Sequence, residues 1–289
     1  MERSLHIGII RPSSIPDREE FERGLEVLKK HGIYFKIFVD FEESDPSQIA
    51  FLLYELLTCG QFSHLWTVRG GAGAVKLLPF LDDLFQTKRI RSISLPTIIG
   101  FSDVTALHLY FLSRFQKIGI HGPMIVNLPT IEKTSLKRLL GVLQSRNSRI
   151  TIHGKTHHSG KAKGVLFGGN LSLVASLCGT PYFPKLESMI LFIEDVGEKA
   201  HKLERSLWQV LMSISPGSLK GIIFGDLGSV SPTYLISALK EFVPSDIPVG
   251  IDFPFGHRTK NYPLLVGAPA ELRASERKAI LIMENHQRI

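Results

Sequence analysis

Cysteine is scarce in this chain: 289 residues contain two, Cys59 and Cys178. They lie far apart in apolar segments that read as helical, with no C-x-x-C partner, which argues against a disulfide framework or a cysteine zinc site and fits a reducing compartment. Long apolar runs are also missing. No stretch of about 18 or more uninterrupted apolar residues occurs, so no spanning helix of ordinary length is expected. The start, MERSLHIGIIRPSS, has no basic segment followed by a long apolar one, so secretion by the general pathway is not expected and a cytoplasmic location is. Nor is there a basic stripe with interleaved aromatics. The net charge of +7 is dispersed over short segments such as Lys29 with Lys30, Lys88 to Arg91, and Lys161 with Lys163. That dispersal argues against a nucleic-acid partner and assigns the charge to solubility or to attraction of an anionic substrate.

What the chain does have is apolar content, 44%, enough for a large core in one large or two medium domains. The first half alternates strand and helix: strand 6–10, helix from Asp17 to His31, strand 34–39, helix 46–58, strand 64–68 and helix 74–85. A further strand and helix meet at Ser102, and another helix spans Lys133 to Leu143. Strands apolar on both faces predict a parallel sheet covered by helices, Rossmann-like or flavodoxin-like. Pro46 at a helix start and Gly32 after a helix end support the boundaries. Residues 151–163 are polar, basic and poor in apolar side chains, and read as an exposed linker between an α/β domain at 1–150 and a smaller α+β, barrel-like domain at 164–289. The second half offers strands at 165–167, 189–193 and 221–224, helices after Asn170, at 200–212 and at 233–242, and short strands beyond.

Candidate sites each carry a plain structural reading beside the functional one. IIGFSDVTALHLY, residues 98–110, places Ser102 on a corner between a buried strand and a helix, where a serine serves either as helix N-cap or as nucleophile. RGGAGAVK, residues 69–76, follows a strand and precedes a helix. It is neither a P-loop nor a dinucleotide fingerprint, but Gly70 and Gly71 are bare enough to offer N–H groups to an oxyanion. Glu194 and Asp195 end the apolar run MILFI, where open α/β sheets place functional groups. His257 lies in the loop IDFPFGHRTKN. Ser102, His257 and Glu194 supply a nucleophile, a base and an orienting acid, with Asp103, Asp195, Asp226 and Asp252 as rivals for the acid. His153, His157 and His158 fall in the polar stretch and read as solvated rather than as metal ligands. Trp208 reads as core.

Taken in order, several blocks resemble the LD-carboxypeptidases, a family of cytoplasmic serine peptidases that includes murein tetrapeptide enzymes and microcin C self-immunity proteins. They are PSS at 12–14, VRGGAGAVKLLPFLD at 68–82, IGFSDVTALH at 99–108, HGPM at 121–124, FGGNLSLVASLCGTPYFP at 167–184, LFIEDVGE at 191–198 and FGHRTKN at 255–261. The resemblance implies Ser102 as nucleophile, His257 as base and Glu194 as its orienter. It also implies an oxyanion hole from backbone N–H groups of Gly70 or Gly71 and Asp103, a site between the domains, and a homodimer. Ala72 and Lys76 stand where the family often has Tyr and Arg, which bears on substrate size and affinity. The corner lacks the second glycine of G-x-S-x-G, Val104 occupying that place, so it is not an α/β-hydrolase elbow.

The expected reaction is therefore hydrolysis of the amide before a C-terminal D-amino acid, releasing D-Ala from a murein tetrapeptide or similar peptide without cofactor, metal, nucleic acid or membrane. Arg69, Lys76 and Arg258 are candidates for binding the terminal carboxylate. Cleavage of a peptidyl or aminoacyl nucleotide is the rival reaction and would need an aromatic platform, for which Tyr182 is the candidate. A non-catalytic nucleotide or sugar-phosphate module built on the Gly70 to Gly73 turn is the rival from another class.

Overall fold

The computed structural model describes residues 5–88, 94–144 and 149–285; the basic run at 88–91 lies, beyond Lys88, outside them. The first part of the chain runs β1 (Ile7–Ile10), α1 (Arg18–Lys30), β2 (Phe35–Phe38), α2 (Pro46–Thr58), β3 (His64–Thr67), α3 (Ala74–Thr87), β4 (Thr97–Gly100), α4 (Thr105–Phe115), β5 (Gly119–His121) and α5 (Lys133–Leu143). Local chemistry fixes the helix ends. Asp17 caps α1 through the Glu20 N–H, and Asp45 with Gln48 forms a capping box before Pro46 of α2.

Strands β1 to β5 pair in parallel in the order β5-β4-β3-β1-β2, the flavodoxin-like arrangement. β1, β3 and β4 are buried throughout, as a sheet covered on both faces demands. Their carboxyl ends emerge side by side, so the loops after them converge.

The second part runs β6 (Arg149–His158), β7 (Gly160–Asn170), α6 (Leu171–Ser176), β8 (Met189–Glu194), α7 (Ala200–Ser213), β9 (Leu219–Phe224), α8 (Pro232–Ala238), β10 (Val249–Ile251), β11 (Leu264–Val266), β12 (Pro269–Ala274) and β13 (Lys278–Glu284). Seven of these strands close a barrel in the order β10-β6-β13-β12-β7-β8-β9. The barrel corrects the expected linker: residues 151–163 form most of β6 and the start of β7, two strands that follow one another in the chain but are separated in the barrel by β13 and β12. Their polar composition reflects a barrel strand that buries alternate residues, Ile150 and Ile152 inward, and leaves the rest to solvent. A clean split of the chain is also corrected, because β11 pairs antiparallel with β5 and extends the first sheet.

Sheet and barrel meet along α4. The hydroxyl of Thr105 accepts the Asn170 N–H at 3.0 Å, and a Cβ on Gly169 would come within 2.5 Å of the Thr105 side chain. Only a residue without a side chain lets β7 approach the helix so closely.

Candidate active site

Ser102 leaves the end of β4 with φ 60°, a left-handed conformation that costs a non-glycine residue about 1–3 kcal/mol. It opens a short 3-10 turn, and its side chain caps neither that turn nor α4, so the N-cap reading of this serine is corrected. The hydroxyl is left free at the mouth of the sheet. Gly70, following β3, faces it: a Cβ there would sit 3.2 Å from Ser102 Oγ. Gly71 and Gly73 have φ 121° and 127°, and among the described residues the N–H groups of Gly70 and Gly71 meet no backbone acceptor.

Barrel residues supply the other side. Glu194, the last residue of β8, is fully buried and accepts from His257 Nδ1 at 2.8 Å through Oε2. Its second oxygen, Oε1, is buried with no donor. Burial raises the Glu194 carboxyl above its ordinary range, opposed by the hydrogen bond and charge of His257. Burial of the His257 ring disfavours its charged form, but the hydrogen bond and charge of Glu194, with Asp226 and Asp195 behind it, prevail and raise its pKa. The ring keeps 28% of its side-chain surface exposed and packs edge-on against Phe101 with centroids 4.8 Å apart. Phe101 precedes Ser102, so the imidazole stands beside the serine corner.

The rival carboxylates are committed elsewhere. Asp195 accepts from Asn170 Nδ2 and from the N–H and hydroxyl of Ser172 at the start of α6. Asp226 pairs with Arg258 at 3.0 Å, and Asp252 pairs with Lys155 on the barrel surface. The Asp103 carboxylate accepts from Ser13 Oγ and Ala74 N. Among the candidates for substrate contact, Arg69 donates to the Ile15 carbonyl, Lys76 is exposed in the first turn of α3, and Arg258 borders His257. Tyr182 is not brought to the site. It packs on Tyr110 and Arg114 of α4, about 8 and 14 Å along the helix from its start at roughly 1.5 Å per residue. Trp208 is 46% exposed on α7 against Phe242 rather than in the core. His158 Nδ1 donates to the Ile247 carbonyl, and no group of three potential metal ligands occurs among the described residues.

The N-terminal domain of the LD-carboxypeptidases matches residues 7–122 and their C-terminal domain matches residues 163–272. A Streptomyces coelicolor relative bearing a carboxypeptidase name is 32% identical over 93% of this chain and 90% of that one. This chain belongs to the LD-carboxypeptidase family. Its likeness extends to the murein tetrapeptide carboxypeptidase of Pseudomonas aeruginosa, 28% identical over 93% of each chain. The crystal structure of a muramoyltetrapeptide carboxypeptidase from Oxalobacter formigenes has the same fold, with TM-score 0.85, 24% identity and coverage of 97% of this chain and 99% of that one.

Sequence reasoning missed two groups of residues around this family site. Ser13 and Ser14, noted only as part of a strand exit, reach the carboxylate of Asp103 and the N–H of Ala72. His121 is fully buried against Phe101, Phe192 and Phe255 with both ring nitrogens unpartnered. Burial first, then the charges of His108 and His257, hold its pKa well below the ordinary value. A histidine opening the HGPM block was the available signal.

Proposed function

We propose that this protein is a serine LD-carboxypeptidase that removes a C-terminal D-amino acid, D-Ala in the first instance, from a murein tetrapeptide. The observation that carries the reading is the buried Glu194–His257 hydrogen bond placed beside a serine whose hydroxyl no helix uses. His257 Nδ1 donates to Glu194, which leaves Nε2 as the basic nitrogen. The ring takes the Ser102 proton, Ser102 Oγ attacks the scissile carbonyl, and the imidazolium then protonates the departing amine. Water deacylates the enzyme by the same route. The backbone N–H groups of Gly70, Gly71 and Asp103 are the donors for the oxyanion.

For the terminal carboxylate, Arg258 is the candidate beside His257, and Arg69 and Lys76, which flank the glycine turn in the chain, are the alternatives. An aminoacyl nucleotide is the weaker substrate reading, because Tyr182 and Trp208 both lie away from Ser102 and neither offers a platform for a base. Residence in the cytoplasm, a role in recycling peptidoglycan fragments and a homodimeric state follow from the family resemblance. Light scattering of the purified protein tests the last.

Mass spectrometry of murein tri-, tetra- and pentapeptides incubated with the protein tests the reaction. The expected product is tetrapeptide shortened by one D-Ala, with a terminal L-Ala resisting cleavage. An intact tetrapeptide, or equal cleavage by Ser102→Ala, refutes the assignment.

A further inference from the structure

We propose that the side chain of Asp103 is a positioning residue that fixes the glycine turn against Ser102, an inference that rests on the reading of Ser102 as nucleophile. One carboxylate oxygen, Oδ2, accepts two hydrogen bonds from different segments: Ser13 Oγ at 2.7 Å and the Ala74 N–H at 2.9 Å. Ala74 is the first residue of α3 and directly follows Gly73. Asp103 directly follows Ser102. One carboxylate therefore joins the nucleophile corner, the end of the glycine turn and the exit of β1.

The turn needs such a tether. Gly70, Gly71 and Gly73 have little conformational preference of their own, and α3 has Gly73 at its N-cap, which brings no capping side chain. Asp103 supplies the missing cap from another loop, and its negative charge suits a helix N-terminus. A second tether lies one residue along from Ser13, where Ser14 Oγ accepts the Ala72 N–H at 3.1 Å. Behind both, the buried Arg11 donates to the Ser13 carbonyl, to the Glu42 carbonyl and to Ser44 Oγ. Asp103 is 3% exposed, and a buried carboxylate persists where hydrogen bonds satisfy it.

A helix cap and a positioning residue differ in what they do to the transition state. If Asp103 only capped α3, its replacement would lower the melting temperature and leave the folded enzyme fully active. If it sets the turn, the oxyanion donors lose their aim, and a displacement of 1 Å costs about 100-fold in rate. Ground-state binding of the peptide changes little, because the oxyanion does not yet exist.

The test compares wild type, Asp103→Asn, Ser13→Ala and the double variant at a temperature where thermal melts show all to be folded. Steady-state kinetics on murein tetrapeptide and the rate of Ser102 labelling by a fluorophosphonate are both read. Asp103→Asn is expected to lower kcat about 100-fold with KM within about threefold, and to slow labelling in proportion. Ser13→Ala is expected to lower kcat about tenfold, and the double variant to be no worse than Asp103→Asn alone, because the two groups share one hydrogen bond. Ser13→Thr, which keeps the hydroxyl, is expected to restore most of the Ser13→Ala loss. Wild-type kcat and labelling in folded Asp103→Asn overturn the inference. Wild-type protein that labels at Ser102 but leaves the tetrapeptide intact refutes the substrate reading alone, and slowed labelling of Asp103→Asn then still supports the positioning role. Wild-type Ser102 that does not label overturns both.

Discussion

In the parallel sheet, Ser102 sits on a backbone held at φ 60° and faces a turn of glycines; in the barrel, Glu194 and His257 are held by burial, charge and one hydrogen bond of 2.8 Å. The sheet shapes its half of the site through the backbone, and the barrel through electrostatics. Histidines show the same contrast. Burial pushes His64 and His108, on β3 and α4, down to about 4, whereas the barrel carboxylates raise His257. Burial favours the neutral form of these two packed imidazoles, whereas the carboxylates around His257 favour its protonated form. The proposed site at the seam would therefore combine a serine held by its backbone with a histidine tuned by its carboxylate neighbours.

The largest expected effect breaks the sheet's contribution alone. Ser102→Ala is expected to lower kcat by at least about 10⁴-fold while the melting temperature stays within a few degrees, since one free hydroxyl is removed. Ser102→Gly is expected to be equally inactive yet more stable by about 1 kcal/mol, because glycine relieves the positive φ. Urea unfolding of the two variants reads that difference, and a glycine variant no more stable than the alanine one would show that the corner is unstrained.

On the barrel side, Glu194→Gln is expected to cost about 10³-fold in kcat, less than loss of the nucleophile, because it leaves the base in place without its charge partner. The proposed mechanism requires neutral His257, so kcat/KM is expected to fall as the pH drops through the folded pKa of that residue. With Glu194 present, that acid limb is expected above about pH 6.5, the ordinary histidine value. In Glu194→Gln it is expected to move to lower pH, and a pH–rate profile with an unmoved limb would break the electrostatic half of the comparison.

Acid stability sharpens the contrast further. The folded pKa of His64 lies below its unfolded value, so the stability tied to its neutral form is complete above about pH 6.5 and is lost as the pH falls toward 4. That loss amounts to about 2–3 kcal/mol. Urea unfolding at pH 7 and 4.5 is expected to show it, with His64→Gln flattening the dependence; activity is expected to disappear at higher pH than stability. The smallest effect belongs to a residue remote from both halves of the site. Tyr182→Phe is expected to leave kcat/KM for the tetrapeptide within about twofold, and a larger loss would return Tyr182 to the substrate path.

Much of the sheet was legible in the sequence because its signals are local. Apolar runs, Pro46 and Gly32 fixed helices and strands of the first half nearly to the residue. The barrel was harder: β6 buries only alternate residues, so a strand there resembles a polar linker until its partners β13 and β10 are known. At the site, Ser102, Glu194 and His257 could be singled out because each stands at a strand end or beside a glycine. Ser13 and the Asp103 side chain could not be related, since they are 90 residues apart and share no pattern.

By itself the sequence determined the parallel sheet, the serine corner, the glycine turn and the family, all of which rest on short segments with their own periodicity or backbone demands. Tertiary structure alone decided that β11 crosses back to the first sheet, that Asp195 and Asp226 are spent on other partners while Glu194 meets His257, and that Ser102 caps no helix. Those outcomes depend on which distant groups share a buried space. Burial and charge are properties of that space rather than of any segment of the chain.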